Sequence, residues 1–167
     1  MSIAKKKKEI YLIAQNIRSL YNVGSLFRTC DAFGVKKIYL CGYTGTPPRN
    51  QITKTALGAE KAVEWEKCRQ TLSLIKKLKK QGVNIIALET TKKSHSLNKF
   101  KPKFPLALVI GNEVEGIKKN VLNQADQIVK IPMQGMKSSL NVSVATGVAL
   151  YQLNKFDNKK DSQIDLS

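Results

Sequence analysis

Three short runs constrain the fold of this chain more than any other feature: VNIIALE (83–89), LALVIG (106–111) and QIVKIP (127–132). Each is apolar almost without interruption over the length of one strand. A half-solvated strand alternates; an unbroken run fits a strand covered on both faces, as in a mostly parallel sheet with helices on either side. EIYLIAQ (9–15), which mixes β-branched and aromatic residues, and KIYLCG (37–42) read as two further strands. Between them, Val23, Leu26, Phe27, Cys30 and Phe33 recur at helical spacing, with Asn22 as N-cap and Gly34 as stop, which predicts a helix over 22–34. After the breaker-rich loop TGTPPRN, helices are expected over 51–63 and over 69–82, the second with Leu72, Ile75 and Leu78 on one side. The lysines of that second helix, Lys76, Lys77, Lys79 and Lys80, read as a solvated face. Strand and helix therefore alternate, giving an α/β fold with a doubly wound sheet whose sites lie beyond the carboxyl ends of the strands. One domain over residues 1–156 is expected, followed by a polar, frayed tail over 157–167.

The charge limits the partners. Of 29 basic residues 25 are Lys and 4 are Arg, scattered along the chain, against 12 acidic ones, for a net charge of +17. Such an excess calls for a polyanion and far exceeds what one small anionic substrate needs. A membrane is not expected as partner, since no apolar run reaches the ~20 residues of a spanning helix. MSIAKKKKEIYLIAQ has too short an apolar stretch for a signal peptide. Cys30, Cys41 and Cys68 are odd in number and lack C-x-x-C spacing, which argues against disulfides or a zinc site and for a reducing cytoplasmic setting. His95 is the only histidine and reads as a solvated loop residue, so neither a His-based triad nor a multi-histidine metal site has material to draw on.

Polar groups are crowded into IPMQGMKSSLNVSVATGVALYQL (131–153), where a strand ends at Pro132, a loop carries Gly135, Ser138 and Ser139, and Asn141 opens a long helix. Taken alone, Ser139 and Asn141 read as caps. Two more segments stand apart, NIRSLYNVGSLFRTCDAFGV (16–35) and LALVIGNEVEGI (106–117). In order and wording the three resemble the motifs of the SpoU or TrmH family of the SPOUT superfamily, which consists of S-adenosylmethionine-dependent RNA 2'-O-ribose methyltransferases. The resemblance spans roughly residues 10 to 155.

That resemblance implies a fold, a cofactor and a site. It implies a trefoil knot in the C-terminal third, a feature very rare among folds, holding S-adenosylmethionine largely by backbone groups. The matching positions are Gly111, Ile131 and Leu140, joined by Leu88, Thr90, Met133 and Ser139. No G-x-G-x-x-G is present, so a conventional dinucleotide site is not supported. Local sequence reads Gly111 as a turn and Ile131 and Leu140 as core. For the acceptor, the family pattern places functional residues at Asn22, Arg28, Glu113, Ser139 and Asn141. The family account makes Arg28 the acceptor of the 2'-hydroxyl proton. A guanidinium normally stays protonated at any useful pH, so the physical reading is that Arg28 at least stabilises the developing alkoxide and aligns an RNA phosphate, with proton acceptance left open. Glu113 is placed to orient Arg28 or the Asn22 amide, or alternatively to favour the dipole of a helix following GNEVEG.

Arg18, Arg49 and Lys54, with Arg28, are the candidate RNA-binding residues. The resemblance further implies a homodimer built on the first-motif helix and the last helix, and gives no reason to expect DNA as a partner. Val142, Ala145, Ala149 and Leu153 form a small-residue face that serves either that interface or the protein's own sheet. Little chain precedes the first strand, which tips the expected substrate toward tRNA over rRNA. The competing reading is a non-catalytic RNA-binding or ribosome-assembly protein that keeps the fold, and the polar positions in all three motifs favour the enzyme.

Overall fold

The computed structural model describes residues 8–156, so the expected tail over 157–167 lies outside the described residues. In chain order the elements are β1 (Ile10–Gln15), α1 (Leu20–Ala32), β2 (Lys37–Cys41), α2 (Asn50–Ala56), α3 (Ala59–Ala62), β3 (Trp65–Cys68), α4 (Thr71–Lys80), β4 (Asn84–Leu88), β5 (His95–Ser96), β6 (Leu106–Ile110), α5 (Lys119–Leu122), β7 (Gln127–Lys130) and α6 (Val142–Asn154). The strands form a single sheet in the order β3-β2-β1-β6-β4-β7-β5, and every neighbouring pair is parallel.

Strand alternation sends successive side chains to opposite faces, and each face carries its own core. Leu12, Ala14, Ile38, Leu40, Leu106 and Leu108 face α1, α2, α3 and α6. Ile13, Tyr39, Ile85, Ala107 and Val109 face α4 and α5. The unbroken apolar runs therefore mean what the sequence suggests for β4 and β6, the latter buried along its whole length. β7 departs from this, because it stands one strand from the edge and only Val129 is fully buried.

Several local expectations are corrected. α1 begins two residues before Asn22, and its N-cap is Ser19, whose side chain accepts from the Asn22 amide. The helix expected over 51–63 is two short ones, broken where Leu57 takes a left-handed conformation (φ 52°) ahead of Gly58. β3 and β5 had no strand pattern in the sequence: β3 is an edge strand with a mostly exposed surface, and β5 is two residues long. His95 thus lies in an edge strand rather than a loop, and it is exposed. Of the small-residue face of α6, Ala149 (0% exposed) and Leu153 (1%) are buried against the protein's own sheet and α1. The apolar residues that α6 leaves in the open are Val144, Val148 and Tyr151. Among the described residues no helix is long and apolar enough to cross a membrane.

Chain direction across the sheet reverses after β3: β2 and β3 lie to one side of β1, and β4 and all later strands to the other. The carboxyl ends of β1, β6, β4 and β7 consequently release four loops side by side, at the kind of switch point where doubly wound sheets bind ligands.

Candidate active site

A cavity of about 470 Å³ opens among these loops, within the range of small-molecule sites. Leu88 and Thr90 reach it from the end of β4, Gly111 from the end of β6, Ile131 and Met133 from the end of β7, and Ser139 and Leu140 from the approach to α6. All seven positions named for the cofactor line this one cavity. Leu140 is not a core residue, being 39% exposed, whereas Ile131 is half-buried and packs against the edge of the core.

The turn 112–116 forms the cavity's second wall and is closed on itself. Asn112 and Gly116 exchange backbone hydrogen bonds of 3.1 and 2.9 Å, and Asn112 Oδ1 accepts from the N–H groups of Val114 and Glu115. Gly111 fits only because it lacks a side chain: a Cβ there would overlap the Ile117 amide and lie 2.6 Å from the Gly116 carbonyl oxygen. Glu89, also on the cavity wall, accepts from Ile117 N at 3.0 Å and from Thr90 N at 3.0 Å, tying the β4 loop to this turn. Neither Asn112 nor Glu89 was singled out by sequence. The signals available were Asn112's place inside GNE and an acidic residue ending the apolar run IIALE.

Glu113 points away from α5, which starts only at Lys119, so the helix-dipole alternative does not apply. It reaches instead across the chain to the start of α1. Its Oε2 accepts from Arg18 N at 2.9 Å, and its Oε1 accepts from Ser19 N at 3.0 Å and from Asn22 Nδ2 at 3.0 Å. Asn22 Oδ1 in turn accepts from Asn141 Nδ2 at 3.2 Å. Asn141 caps α6 with its own oxygen, accepting from Ser143 N and Val144 N. One polar chain, Glu113–Asn22–Asn141, thus joins all three marked segments at the cavity rim and fixes both ends of the Asn22 amide.

Burial pushes the Glu113 carboxyl up, but the donors on Arg18, Asn22 and Ser19 outweigh it and hold it below the ordinary glutamate range. A group whose folded pKa is depressed contributes stability that is complete above its unfolded value, about 4.3, and is lost as pH falls through the folded one. Glu113 is exposed, so solvent screening keeps the contribution small. Glu113→Gln should therefore cost about 1 kcal/mol at neutral pH. Below about pH 4.3 the variant should lose stability less steeply than the native chain, as read by thermal melts across pH. Equal slopes in the two proteins would contradict these contacts.

Arg28 is not brought to the cavity. It is exposed on α1 and lines a separate groove of about 660 Å³ with Lys54, Thr55, Val144, Gly147 and Val148. Glu113 therefore orients Asn22 and not Arg28. Arg18 and Arg49 are exposed, Arg18 at the Glu113 end of the rim and Arg49 just ahead of α2. Among the described residues no group of three or more His, Cys, Asp or Glu is placed to hold a metal ion.

A tRNA (guanosine(18)-2'-O)-methyltransferase of Aquifex aeolicus is 33% identical over 159 residues, covering 95% of this chain and 74% of that protein. A 23S rRNA (guanosine-2'-O-)-methyltransferase of Vibrio parahaemolyticus is 29% identical over 90% of this chain, which spans only 60% of that relative. Among solved structures, the AdoMet-bound rRNA methyltransferase of Sinorhizobium meliloti superposes with a TM-score of 0.84 at 27% identity, over 92% of this chain and 58% of that one. The profile of the SpoU rRNA Methylase family matches residues 9–151, the stretch that holds the sheet, the cavity and the polar rim, and the chain belongs to that family.

Proposed function

We propose that this chain is an S-adenosylmethionine-dependent methyltransferase acting, as a single domain, on the 2'-hydroxyl of a ribose in structured RNA, with tRNA favoured over rRNA. The observation that carries the reading is the convergence of seven cofactor positions on one cavity whose rim holds Asn22, Glu113 and Asn141. The residues fit the cofactor. The cavity combines apolar walls at Leu88, Ile131 and Leu140 with backbone brought close at Gly111, and such a site suits an adenosyl group held by apolar contact and main-chain hydrogen bonds. When bound, S-adenosylmethionine supplies an electrophilic methyl group on a sulfonium.

The chain's own work is positioning and electrostatics. Glu113 has both oxygens occupied by N–H donors and a lowered pKa, so it serves as a positioning residue rather than a base. It locks Asn22, and Asn22 and Asn141 with Ser139 set where the ribose hydroxyl sits. Arg28, carried across the proposed homodimer to the rim of the other copy's cavity, stabilises the alkoxide that develops there as the 2'-hydroxyl proton leaves to solvent, and aligns a neighbouring phosphate, with Lys54, Arg18 and Arg49 following the RNA backbone.

A homodimer accounts for the position of Arg28. Tyr21 (50% exposed), Val144 (52%) and Tyr151 (60%) make an apolar surface on α1 and α6 around the Arg28 groove, and a second copy covering it places Arg28 where two copies meet. The trefoil knot belongs to the same reading. It is supported by the insertion of β7 between β4 and β5 and by the three segments 88–91, 110–117 and 138–140 meeting at one cavity. The reaction is a cytoplasmic one.

The test is transfer of labelled methyl from S-adenosylmethionine to unmodified bulk tRNA and, separately, to rRNA, followed by nucleoside analysis. A 2'-O-methylated nucleoside in one of them is the expected product and names the RNA class. No transfer to either, with no cofactor binding by calorimetry, would leave the non-catalytic RNA-binding protein.

A further inference from the structure

Tyr43 lies two residues past the end of β2 and is 60% exposed, yet its backbone and its hydroxyl are both held in place. Its N–H donates to Asn16 Oδ1 at 3.2 Å. On either side of it, Lys67 Nζ donates to the carbonyls of Gly42 at 2.7 Å and Thr44 at 2.6 Å. Thr44 is buried, and its Oγ1 accepts from Ile17 N at 3.0 Å. Gly42 has φ +64° and packs so closely on the Asn16 side chain that a Cβ would overlap it. Finally, Asn112 Nδ2 donates to the Tyr43 hydroxyl at 2.7 Å while also donating to Asn16 O at 3.0 Å. The ring is thereby fixed beside the turn that carries Glu113, although it belongs to neither hydrophobic core.

A surface tyrosine is ordinarily unremarkable. Here the fold spends a loop clamp, a lysine and an asparagine on keeping an aromatic ring presented to solvent next to Asn112, a residue of the cavity wall. If the hydroxyl bond alone were wanted, a smaller hydrogen-bonding side chain could take part in it without exposing a ring. Exposed Arg18 lies next to Ile17, the residue bonded to the same loop. A rigid, exposed aromatic face on a chain of net charge +17 is the combination that holds unpaired nucleobases.

We infer that Tyr43 is a stacking platform for a nucleobase of the RNA acceptor, adjacent to the ribose that is methylated. The inference rests on the RNA-methyltransferase reading. Stacking of one base accounts for about 1–3 kcal/mol, a factor of roughly 5 to 150 in affinity. Any π-face serves, so Tyr43 strengthens binding without choosing among bases by hydrogen bonds.

The experiment compares the native chain with Tyr43→Ala and Tyr43→Phe in three readouts: KM for bulk tRNA and for rRNA, direct binding of the same fluorescently labelled RNAs, and cofactor affinity by calorimetry. Tyr43→Ala should raise the RNA KM and Kd by a factor in the range above and leave cofactor affinity unchanged. Tyr43→Phe should recover most of the loss, because it keeps the ring and gives up only the Asn112 bond. Two results overturn the inference: unaltered RNA binding in Tyr43→Ala, or a Tyr43→Phe variant as impaired as Tyr43→Ala, which would make the hydroxyl bond the working part. A native chain that transfers no methyl group but whose RNA binding still needs the ring would sink the enzyme reading and leave the stacking platform standing.

Discussion

Gly111→Ala should lower the melting temperature by about 2–12 °C and weaken S-adenosylmethionine binding at least about tenfold. The added Cβ has no free direction, since it overlaps backbone: the Ile117 amide, and the Gly116 carbonyl at 2.6 Å. Backbone cannot swing aside as a long side chain can. The turn 112–116 must move off β6 as a body, breaking the paired Asn112–Gly116 bonds or the Glu89 tie to Ile117. Forcing extra volume into a packed site costs about 1–3 kcal/mol, which for a domain of this size corresponds to the shift stated. The cofactor loss arises because the moving turn is itself a cavity wall. Gly135, with nothing within 4 Å of its Cβ position, provides the contrast, and Gly135→Ala should melt within about 0.5 kcal/mol of the native chain. Thermal melts and titration calorimetry read both effects. A Gly111→Ala protein that melts and binds like the native one would contradict the close approach.

What could be read from the sequence divides along a physical line. β4 and β6 were legible because burial on both faces leaves a one-dimensional trace, an unbroken apolar run. β3 left no such trace, since Trp65–Cys68 pairs with β2 on one side only and remains largely exposed. The start of α1 was misread between two good cap formers, Ser19 and Asn22. The choice was made by Glu113, more than ninety residues away, which takes the N–H groups of Arg18 and Ser19 and so fixes where the helix begins. No local propensity contains that contact. The break after Ala56 had its signal in Gly58, and the helical run on either side concealed it.

The candidate site shows the same division. Gly111, Ile131 and Leu140 look locally like a turn and two core residues, and only the order of three motifs singled them out. Their meeting at one cavity depends on β7 pairing with β4, which the sequence does not display. Asn112, Glu89 and Tyr43 went unnoticed because each acts through contacts that are long in sequence: Asn112 to Asn16 and Tyr43, Glu89 to Ile117.

Arg28→Ala should reduce kcat for RNA methylation by about 10²–10³, the usual cost of removing one donor aimed at developing negative charge. Its effect on cofactor affinity should be negligible, since Arg28 lines the α1–α6 groove and no part of the cofactor cavity. That split separates an electrostatic role from a structural one: a disturbed α1 would also shift Glu113 and Asn22, whose contacts reach the cavity rim, and would impair both quantities together. Arg28 is exposed on the helix, so its removal leaves no buried void and the fold should survive within about 0.5 kcal/mol. Arg28→Lys sharpens the test. A lysine keeps the charge but loses the planar fork that grips a phosphate through two parallel bonds, so it should recover only a minor part of the rate. Full recovery with lysine would reduce the role of Arg28 to charge alone. Unchanged kcat in Arg28→Ala would remove it from the reaction and leave the alkoxide to the Asn22–Asn141 pair at the rim.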